Sequence, residues 1–138
     1  MSVGVLHPGK RASVSRIVKE EDIEIFAELS LDRNPVHFDE EFASRTIFGR
    51  RIAHGGIGAA LISGALTQLM GDGNIWLSAS IQFRKPIYIG DELTCNLTLG
   101  DVDRRGIASI DVEVTNPSKE IVISGNIKSM RFISGGSH

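Results

Sequence analysis

The chain has few of the residues that mark secreted or membrane-spanning proteins. It has a single cysteine in 138 residues, Cys95, so no internal disulfide can form. No run of apolar residues approaches the roughly 20 that are needed to span a bilayer. The net charge is only −2, so the composition does not indicate nucleic acid or an anionic membrane surface as a partner. We therefore expect a protein of the cytoplasm or of an organelle matrix.

Targeting and cofactor motifs are missing as well. Residues 1–8 have neither a cationic start before an apolar stretch nor an Arg-rich amphipathic pattern, so we expect no targeting segment. The histidines and the cysteine do not have metal-ligand spacing, and Gly71-Asp72-Gly73 lacks the third glycine of a dinucleotide-binding loop. We expect neither a metal nor a bound redox cofactor.

The length and the composition fit one domain. A chain of 138 residues with 41% hydrophobic content is long enough for a core but short for two domains. We see no internal repeat and no low-complexity linker within it. We assign residues 1–133 to the domain and interpret residues 134–138, which read Ser-Gly-Gly-Ser-His, as a linker or tag remnant outside it.

Helical patterns occupy the first half of the chain. Acidic residues at 20–22 open a predicted helix that ends near residue 32, and residues 38–46 suggest a short helical link with Phe42 and Ala43 facing inward. From Gly55 to about Met70 the apolar residues leave no polar stripe. This pattern predicts a helix that is enclosed on nearly all sides.

Strand signals dominate the second half. The predicted strands cover residues 12–18, 75–83, 92–99, 107–115 and 121–132, with Gly-Asp and Asn-Pro pairs in several of the turns. With only one apolar helix to cover, these strands must wrap around it as an antiparallel sheet. Such a sheet leaves an edge strand and part of the helix uncovered, which favours pairing with a second copy.

The segment Asp32-Arg33-Asn34-Pro35-Val36-His37 carries the first chemical signal. Pro35 fixes its own φ and keeps Asn34 out of the helical region, so the chain turns between Asp32 and His37. A carboxylate and an imidazole within reach of one water suit acid–base chemistry near neutral pH. Taken alone, the same six residues indicate a purely structural helix end more than a catalytic site.

Two further segments follow in order. Arg51-Ile52-Ala53-His54-Gly55-Gly56 precedes the apolar helix, and residues 83–91 contain a Pro-x-x-x-Gly-Asp turn. Together with Phe26-Ala27 and Phe42-Ala43, this ordered pattern resembles the (R)-specific enoyl-CoA hydratases of the MaoC-like hydratase family over about residues 9–132. The resemblance implies a single α+β hot-dog domain, with a curved antiparallel sheet around a long central helix, and a homodimer.

The resemblance also implies catalytic roles. Asp32 and His37 would hold the catalytic water; we favour Asp32 as the base and His37 as the group that orients the water, although the sequence alone leaves this open. The backbone N–H of Gly55 would hold the thioester oxygen. Gly56 replaces a larger residue of relatives, so we expect a wider pocket mouth. We expect His54 to anchor the chain before the helix with both ring nitrogens hydrogen-bonded.

Five residues are candidates for substrate binding. Asn34 could reach the site, although its turn role is reason enough for it, and Ser63 corresponds to a serine that lines the acyl pocket of the resembling enzymes. Ala65 and Leu66 would help to set the pocket depth. Arg84 would contact coenzyme A phosphates, with weaker help from other basic residues near the mouth, namely Arg45, Arg50, Arg51 and Lys85.

The resemblance implies the reversible hydration of trans-2-enoyl-CoA to (R)-3-hydroxyacyl-CoA, without a cofactor because coenzyme A belongs to the substrate. Three alternatives stay open at this point. The first is a dehydratase acting on acyl-carrier-protein thioesters, the second is a hot-dog thioesterase, and the third is a non-catalytic acyl-CoA-binding protein. The Asp-x-Asn-Pro-x-His turn argues against the thioesterase, because that enzyme must direct its attack at the carbonyl.

Overall fold

Our computed structural model describes residues 6–133, so the linker interpretation of residues 134–138 falls outside the described residues. The strands are β1 (Arg11–Ile17), β2 (Asn74–Phe83), β3 (Glu92–Val102), β4 (Ala108–Thr115) and β5 (Ile121–Arg131). The helices are α1 (Glu20–Ser30), α2 (Pro35–Phe38), α3 (Glu40–Ser44) and α4 (Gly55–Met70). The strand and helix positions predicted from the sequence are confirmed to within a few residues.

The five strands form one antiparallel sheet in the order β1-β3-β4-β5-β2. An apolar row crosses the sheet because Val14 pairs with Cys95, Cys95 with Val114, and Val114 with Ile123. Cys95, Val114 and Ile123 are fully buried. This face of the sheet lies against α4, which confirms the predicted hot-dog architecture.

Helix α4 is less enclosed than its sequence predicts. Residues such as Ile62, Leu66 and Leu69 are buried against the sheet, whereas a stripe on the other side is exposed, namely Ala60, Ser63, Gly64, Thr67 and Gln68. The expectation of a helix enclosed on nearly all sides is therefore wrong for the single chain. The stripe consists of small and weakly polar residues, so it left no clear signal in the hydrophobic pattern.

The link between α1 and α4 also differs in detail from the prediction. It forms two short helices, α2 and α3, and Ala43 is buried as expected. Phe42, however, is 37% exposed and lies beneath the guanidinium of Arg45, which is 5.8 Å from the ring centroid. The prediction that Phe42 faces inward is therefore wrong. A helix of five residues buries only one narrow side, and Ala43 occupies it.

Across residues 6–133 the structure contains no helix that is long and apolar enough to cross a membrane. Even α4, with 16 residues, is occupied on one face by the sheet.

Candidate active site

The turn after α1 is built by side chains that accept hydrogen bonds from backbone N–H groups two residues later. Ser30 Oγ accepts from Asp32 N at 3.1 Å, Asp32 Oδ1 from Asn34 N at 3.0 Å, and Asn34 Oδ1 from Val36 N at 3.1 Å. Asn34 is extended, as expected before Pro35, and caps the start of α2. This ladder fixes one oxygen of Asp32 and leaves Oδ2 available.

His37 is held from two sides. Its Nδ1 lies 2.8 Å from the carbonyl oxygen of Ile52, and since a carbonyl can only accept, Nδ1 carries the hydrogen. Its own carbonyl accepts a 2.7 Å hydrogen bond from Arg51 Nε, while the Arg51 guanidinium makes two further bonds to Glu20. The remaining nitrogen, Nε2, has a lone pair when the ring is neutral.

The two free acceptors face each other. His37 Nε2 lies 3.9 Å from Asp32 Oδ2, which is too long for a direct hydrogen bond but suits one bridging water. Burial is the main cause that lowers the pKa of His37 below its ordinary value, and the approach of His54 adds to it. A neutral His37 and an ionised Asp32 would accept both hydrogens of that water and leave its oxygen lone pairs exposed.

His54 lies behind this pair. Its Nε2 donates to the backbone carbonyl of Asp32 at 3.0 Å, and its ring stacks on His37 with 3.8 Å between centroids and 29° between planes. The backbone hydrogen bond confirms that His54 anchors the approach to α4. The expectation that both nitrogens would be bonded is wrong, because Nδ1 is buried without a partner among the described residues.

Gly55 is the first residue of α4, so its N–H has no acceptor within the helix. His54, at the N-cap, provides no side-chain cap, which leaves this positive helix end open to a ligand. A Cβ on Gly55 would lie 2.8 Å from the Phe83 ring. Glycine is therefore required for Phe83 to pack on the start of the helix.

A cavity of about 480 Å³ opens beside the start of α4. Its walls are mostly apolar but include two cations, and they consist of Phe48, Ile52, Ala53, Gly55, Gly56, Phe83, Arg84, Lys85, Pro86 and Ile87. Asp32 and His37 are not part of the wall, but they are bonded to the same stretch of chain through Ile52 and His54. The cavity has room for a small acyl chain or for part of a pantetheine arm.

The structure brings only some of the predicted substrate residues to this cavity. Arg84 lines it, and its guanidinium also bonds to Ser124 and Gln82. Asn34 instead caps α2. The other three predicted residues lie elsewhere: Ser63 on the exposed stripe of α4, and Ala65 and Leu66 within the closed core.

The other basic residues are largely engaged. Arg51 is only 16% exposed at its side chain and is committed to Glu20 and His37, so it cannot act as a surface cation for coenzyme A. Arg50 stacks on the Tyr88 ring at 3.8 Å from the centroid. The two remaining residues, Arg45 and Lys85, form ion pairs with Glu41 and Glu120.

Gly56 has a role beyond the one expected. The position that a Cβ would take on Gly56 is filled by the Phe26 ring, which also contacts His54 at 4.8 Å between centroids. The missing side chain makes room for Phe26, and because Gly56 also lies in the wall of the cavity, a wider mouth stays a prediction.

Three side chains here offer metal-ligand atoms within 4.8 Å of one another, namely Asp32, His37 and His54. The two imidazoles are stacked with 29° between their planes, so their in-plane lone pairs are poorly directed towards one ion. The arrangement suits acid–base chemistry better than metal binding.

Sequence reasoning missed the support that Arg51 gives to His37. Glu20, Arg51 and His37 are distant in sequence, and no local spacing connects them. It also missed Ser30, which accepts a hydrogen bond from the backbone N–H of Asp32. The sequence contains a signal for this contact, because Ser, Asp and Asn at alternate positions 30, 32 and 34 commonly bond to the backbone two residues later.

Residues 7–122 match the protein family described as MaoC like domain. The chain is 39% identical to an (R)-specific enoyl-CoA hydratase of Rhodospirillum rubrum, over 88% of this chain and 85% of that protein. It is 35% identical to an (R)-specific enoyl-CoA hydratase of Aeromonas caviae, over 91% and 95% of the two chains. Among solved structures, an (R)-hydratase from A. caviae involved in PHA biosynthesis superposes with a TM-score of 0.88 and 32% identity, covering 94% of this chain and 99% of that one.

Proposed function

The chain belongs to the MaoC-like domain family, and on that premise we propose that it is a hydro-lyase that adds water to trans-2-enoyl-CoA and forms (R)-3-hydroxyacyl-CoA. The single observation that carries this proposal is the pair of free acceptors, His37 Nε2 and Asp32 Oδ2, which face each other at 3.9 Å. The (R) configuration is supported by the relatives named (R)-specific hydratases.

We propose that one water lies between these two acceptors. Its oxygen forms a bond to C3 of the enoyl group while one of its protons passes to the Asp32–His37 pair. The pair then delivers a proton to C2, so that the elements of water are added across the double bond and no redox change occurs. Because the two groups act as a unit, we assign the base to the pair and favour Asp32 as its first acceptor.

The thioester oxygen gains negative charge as C3 is attacked. We propose that the N–H of Gly55 donates to this oxygen, assisted by the positive end of α4. Loss of one such donor typically costs on the order of 3 kcal/mol in the transition state. The enolate keeps the C–S bond intact, which distinguishes this reaction from thioester hydrolysis.

We propose that coenzyme A enters as part of the substrate and that no separate cofactor takes part. Arg84, in the wall of the cavity, is the proposed phosphate contact. Asn34, Ser63, Ala65 and Leu66 remain proposed substrate residues, and Ser63 needs a second chain or a bound substrate to close over the exposed face of α4. We also propose a reducing compartment, in line with the single buried Cys95.

A homodimer is a further part of the proposal. Strand β2 is hydrogen-bonded to β5 on one side only, and it exposes Ile75, Leu77 and Phe83. The exposed small-residue stripe of α4 adds an uncovered helix face. A second copy that extends the sheet at β2 would cover both. Light scattering of the wild type and of Leu77→Lys tests this: we expect a dimer mass that the substitution lowers, and a fully active monomer would contradict it.

The activity is tested with crotonyl-CoA. We expect the absorbance of the conjugated enoyl thioester to disappear without release of free thiol, and chiral analysis to identify the (R)-3-hydroxy product. Release of thiol in step with the absorbance loss would show a thioesterase, and an (S) product would contradict the stereochemical assignment. Binding without turnover would show an acyl-CoA-binding protein.

The same assay with matched acyl-carrier-protein and coenzyme A thioesters distinguishes the two carriers. We expect a higher kcat/KM with the coenzyme A thioester. In an Arg84→Gln variant the KM for this thioester should be higher than in the wild type, while kcat changes little. A preference for the carrier protein would favour the dehydratase alternative.

A further inference from the structure

His54 makes contact with both members of the proposed catalytic pair, through the backbone carbonyl of Asp32 and the ring face of His37. Its Nε2 bonds to the backbone carbonyl of Asp32, and its ring covers one face of His37. It is 2% exposed, so it is itself held rigidly. The next residue in the chain is Gly55, the proposed donor to the thioester oxygen. All three proposed catalytic groups therefore meet at His54.

The hydrogen-bond partners define the tautomers of the two rings. The carbonyl of Asp32 requires a hydrogen on Nε2 of His54, and the carbonyl of Ile52 requires one on Nδ1 of His37. His54 Nδ1 is buried and has no partner among the described residues. With its hydrogen on Nε2, the neutral ring of His54 leaves Nδ1 as an acceptor without a partner within residues 6–133.

We infer that His54 is a positioning residue that fixes the carbonyl of Asp32 and shields the ring of His37 from water, so that Nε2 of His37 is presented as an acceptor. This inference rests on the proposed function and extends it to a residue that has no contact with substrate. The two tasks are separable, because the hydrogen bond uses Nε2 and the shielding uses the ring face.

The shielding has an electrostatic consequence. Other groups also act on His37: Asp32 raises its pKa, and Arg51 lowers it through its charge. Burial is the largest cause of the lowered pKa, and the stacked ring of His54 is part of that burial. Removal of the ring should therefore move the pKa of His37 upward, towards the ordinary value of about 6.5.

Two substitutions test the two tasks. His54→Gln keeps an N–H donor near the position of Nε2 but removes the ring, whereas His54→Phe keeps a ring over His37 but removes the donor. For His54→Gln we expect the acid limb of kcat/KM to move about half a pH unit or more upward. His54→Phe keeps the burial of His37 but removes the smaller charge effect of His54, so we expect the acid limb to move upward by less than in His54→Gln, with a kcat about tenfold lower. KM for crotonyl-CoA should stay near the wild-type value in both.

The matched control is His7→Gln, which changes an exposed histidine whose Nδ1 lies 3.2 Å from the carbonyl oxygen of its neighbour Pro8. It should keep the wild-type kcat and pH profile. A folded His54→Gln with the wild-type pH profile would overturn the shielding of His37 by the ring. A folded His54→Phe with the wild-type kcat would overturn the role of the hydrogen bond to the carbonyl of Asp32. An inactive wild type would instead overturn the proposed hydratase function, so the two failures are distinguishable.

Nuclear magnetic resonance of the wild type tests the inference even if both variants unfold. In ¹⁵N-labelled protein at pH 8, where an ordinary imidazole is neutral, long-range ¹H–¹⁵N correlations report which ring nitrogen carries the hydrogen. We expect Nε2–H for His54 and Nδ1–H for His37. The opposite tautomer at either ring would overturn the proposal.

Discussion

The sheet with α4 and the segment from Ser30 to Gly55 are held together in different ways. The sheet has continuous backbone ladders and a core of fully buried side chains such as Leu97 and Ile110. The segment has two very short helices, and its key bonds run from side chains to backbone groups, as at Asp32, Asn34 and His37. Many equivalent contacts stabilise the sheet and α4, whereas single polar contacts fix the geometry of the segment.

Because of this difference, we expect the stability of the fold and the catalytic chemistry to depend on different regions of the chain. The proposed reactive groups lie in the segment, which tolerates exposed polar atoms such as Asp32 Oδ2 because few apolar contacts surround them. The segment is attached to the rest of the domain by the hydrogen bond from Ala53 N to the carbonyl of Ile87, in the link between β2 and β3, and by its continuation into α4, which packs on the sheet. We therefore expect substitutions in the segment to reduce turnover and substitutions in the sheet to reduce stability.

The largest effect should come from the catalytic pair. Asp32→Asn and His37→Gln keep the shapes of the side chains but remove their acid–base function, and each should lower kcat for crotonyl-CoA hydration by at least about 100-fold. Because Asp32 is about half exposed at its side chain, Asp32→Asn should leave Tm nearly unchanged. Near-wild-type turnover by either folded variant would show that the site lies elsewhere.

Truncation in the sheet should have the opposite profile. Leu97→Ala removes a fully buried side chain from the middle of β3 and should lower the free energy of unfolding by about 2 to 5 kcal/mol. The kcat of the remaining folded protein should stay within about threefold of wild type, since Leu97 lies in β3 and is none of the proposed reactive groups. Urea denaturation and active-site-normalised kinetics measure the two quantities, and a large loss of kcat with unchanged stability would break the comparison.

The pH dependence of activity should reveal the buried member of the pair. Burial lowers the pKa of His37, so the ring stays neutral below its ordinary value of about 6.5 and is protonated only at lower pH. We expect kcat/KM to fall tenfold per pH unit only below that lowered pKa. The unfolded chain takes up the proton first, so the free energy of unfolding should also fall as the pH is lowered from about 6.5. His37→Gln should abolish this part of the slope, and an unchanged slope would assign it to another group.

The smallest effect should come from a substitution at the connection between β1 and α1. Asp22 accepts two hydrogen bonds from Arg16 and one from the backbone N–H of Lys19, which together lower its pKa. Asp22→Asn should cost about 1 kcal/mol of stability. The wild-type carboxylate stabilises the fold above its ordinary pKa, and this stabilisation is lost as the pH falls through the lowered pKa of the folded state. The free energies of unfolding of the variant and of the wild type should therefore become similar in acid. Turnover at pH 8 should be unaffected.

Much of the architecture could be predicted from local patterns. The boundaries of α4 and the positions of the strands were within reach because apolar periodicity and turn residues act over a few neighbours. The turn at Asn34-Pro35 was predictable for the same reason, since Pro35 restricts its neighbour directly. The exposed stripe of α4 was not, because residues such as Ala60 and Gly64 are compatible with either a buried or an exposed face.

The sequence by itself determined which chemical groups this protein possesses and in what local order: a carboxylate and an imidazole across a proline turn, and a glycine at the start of an apolar helix. Only the tertiary structure decided how they are oriented. The Ile52 carbonyl directs Nε2 of His37 towards Asp32, and His54 stacks behind it, through contacts that span 15 and 17 positions. Such contacts depend on where the sheet places the chain, and no local propensity encodes a distance between side chains that are brought together by folding.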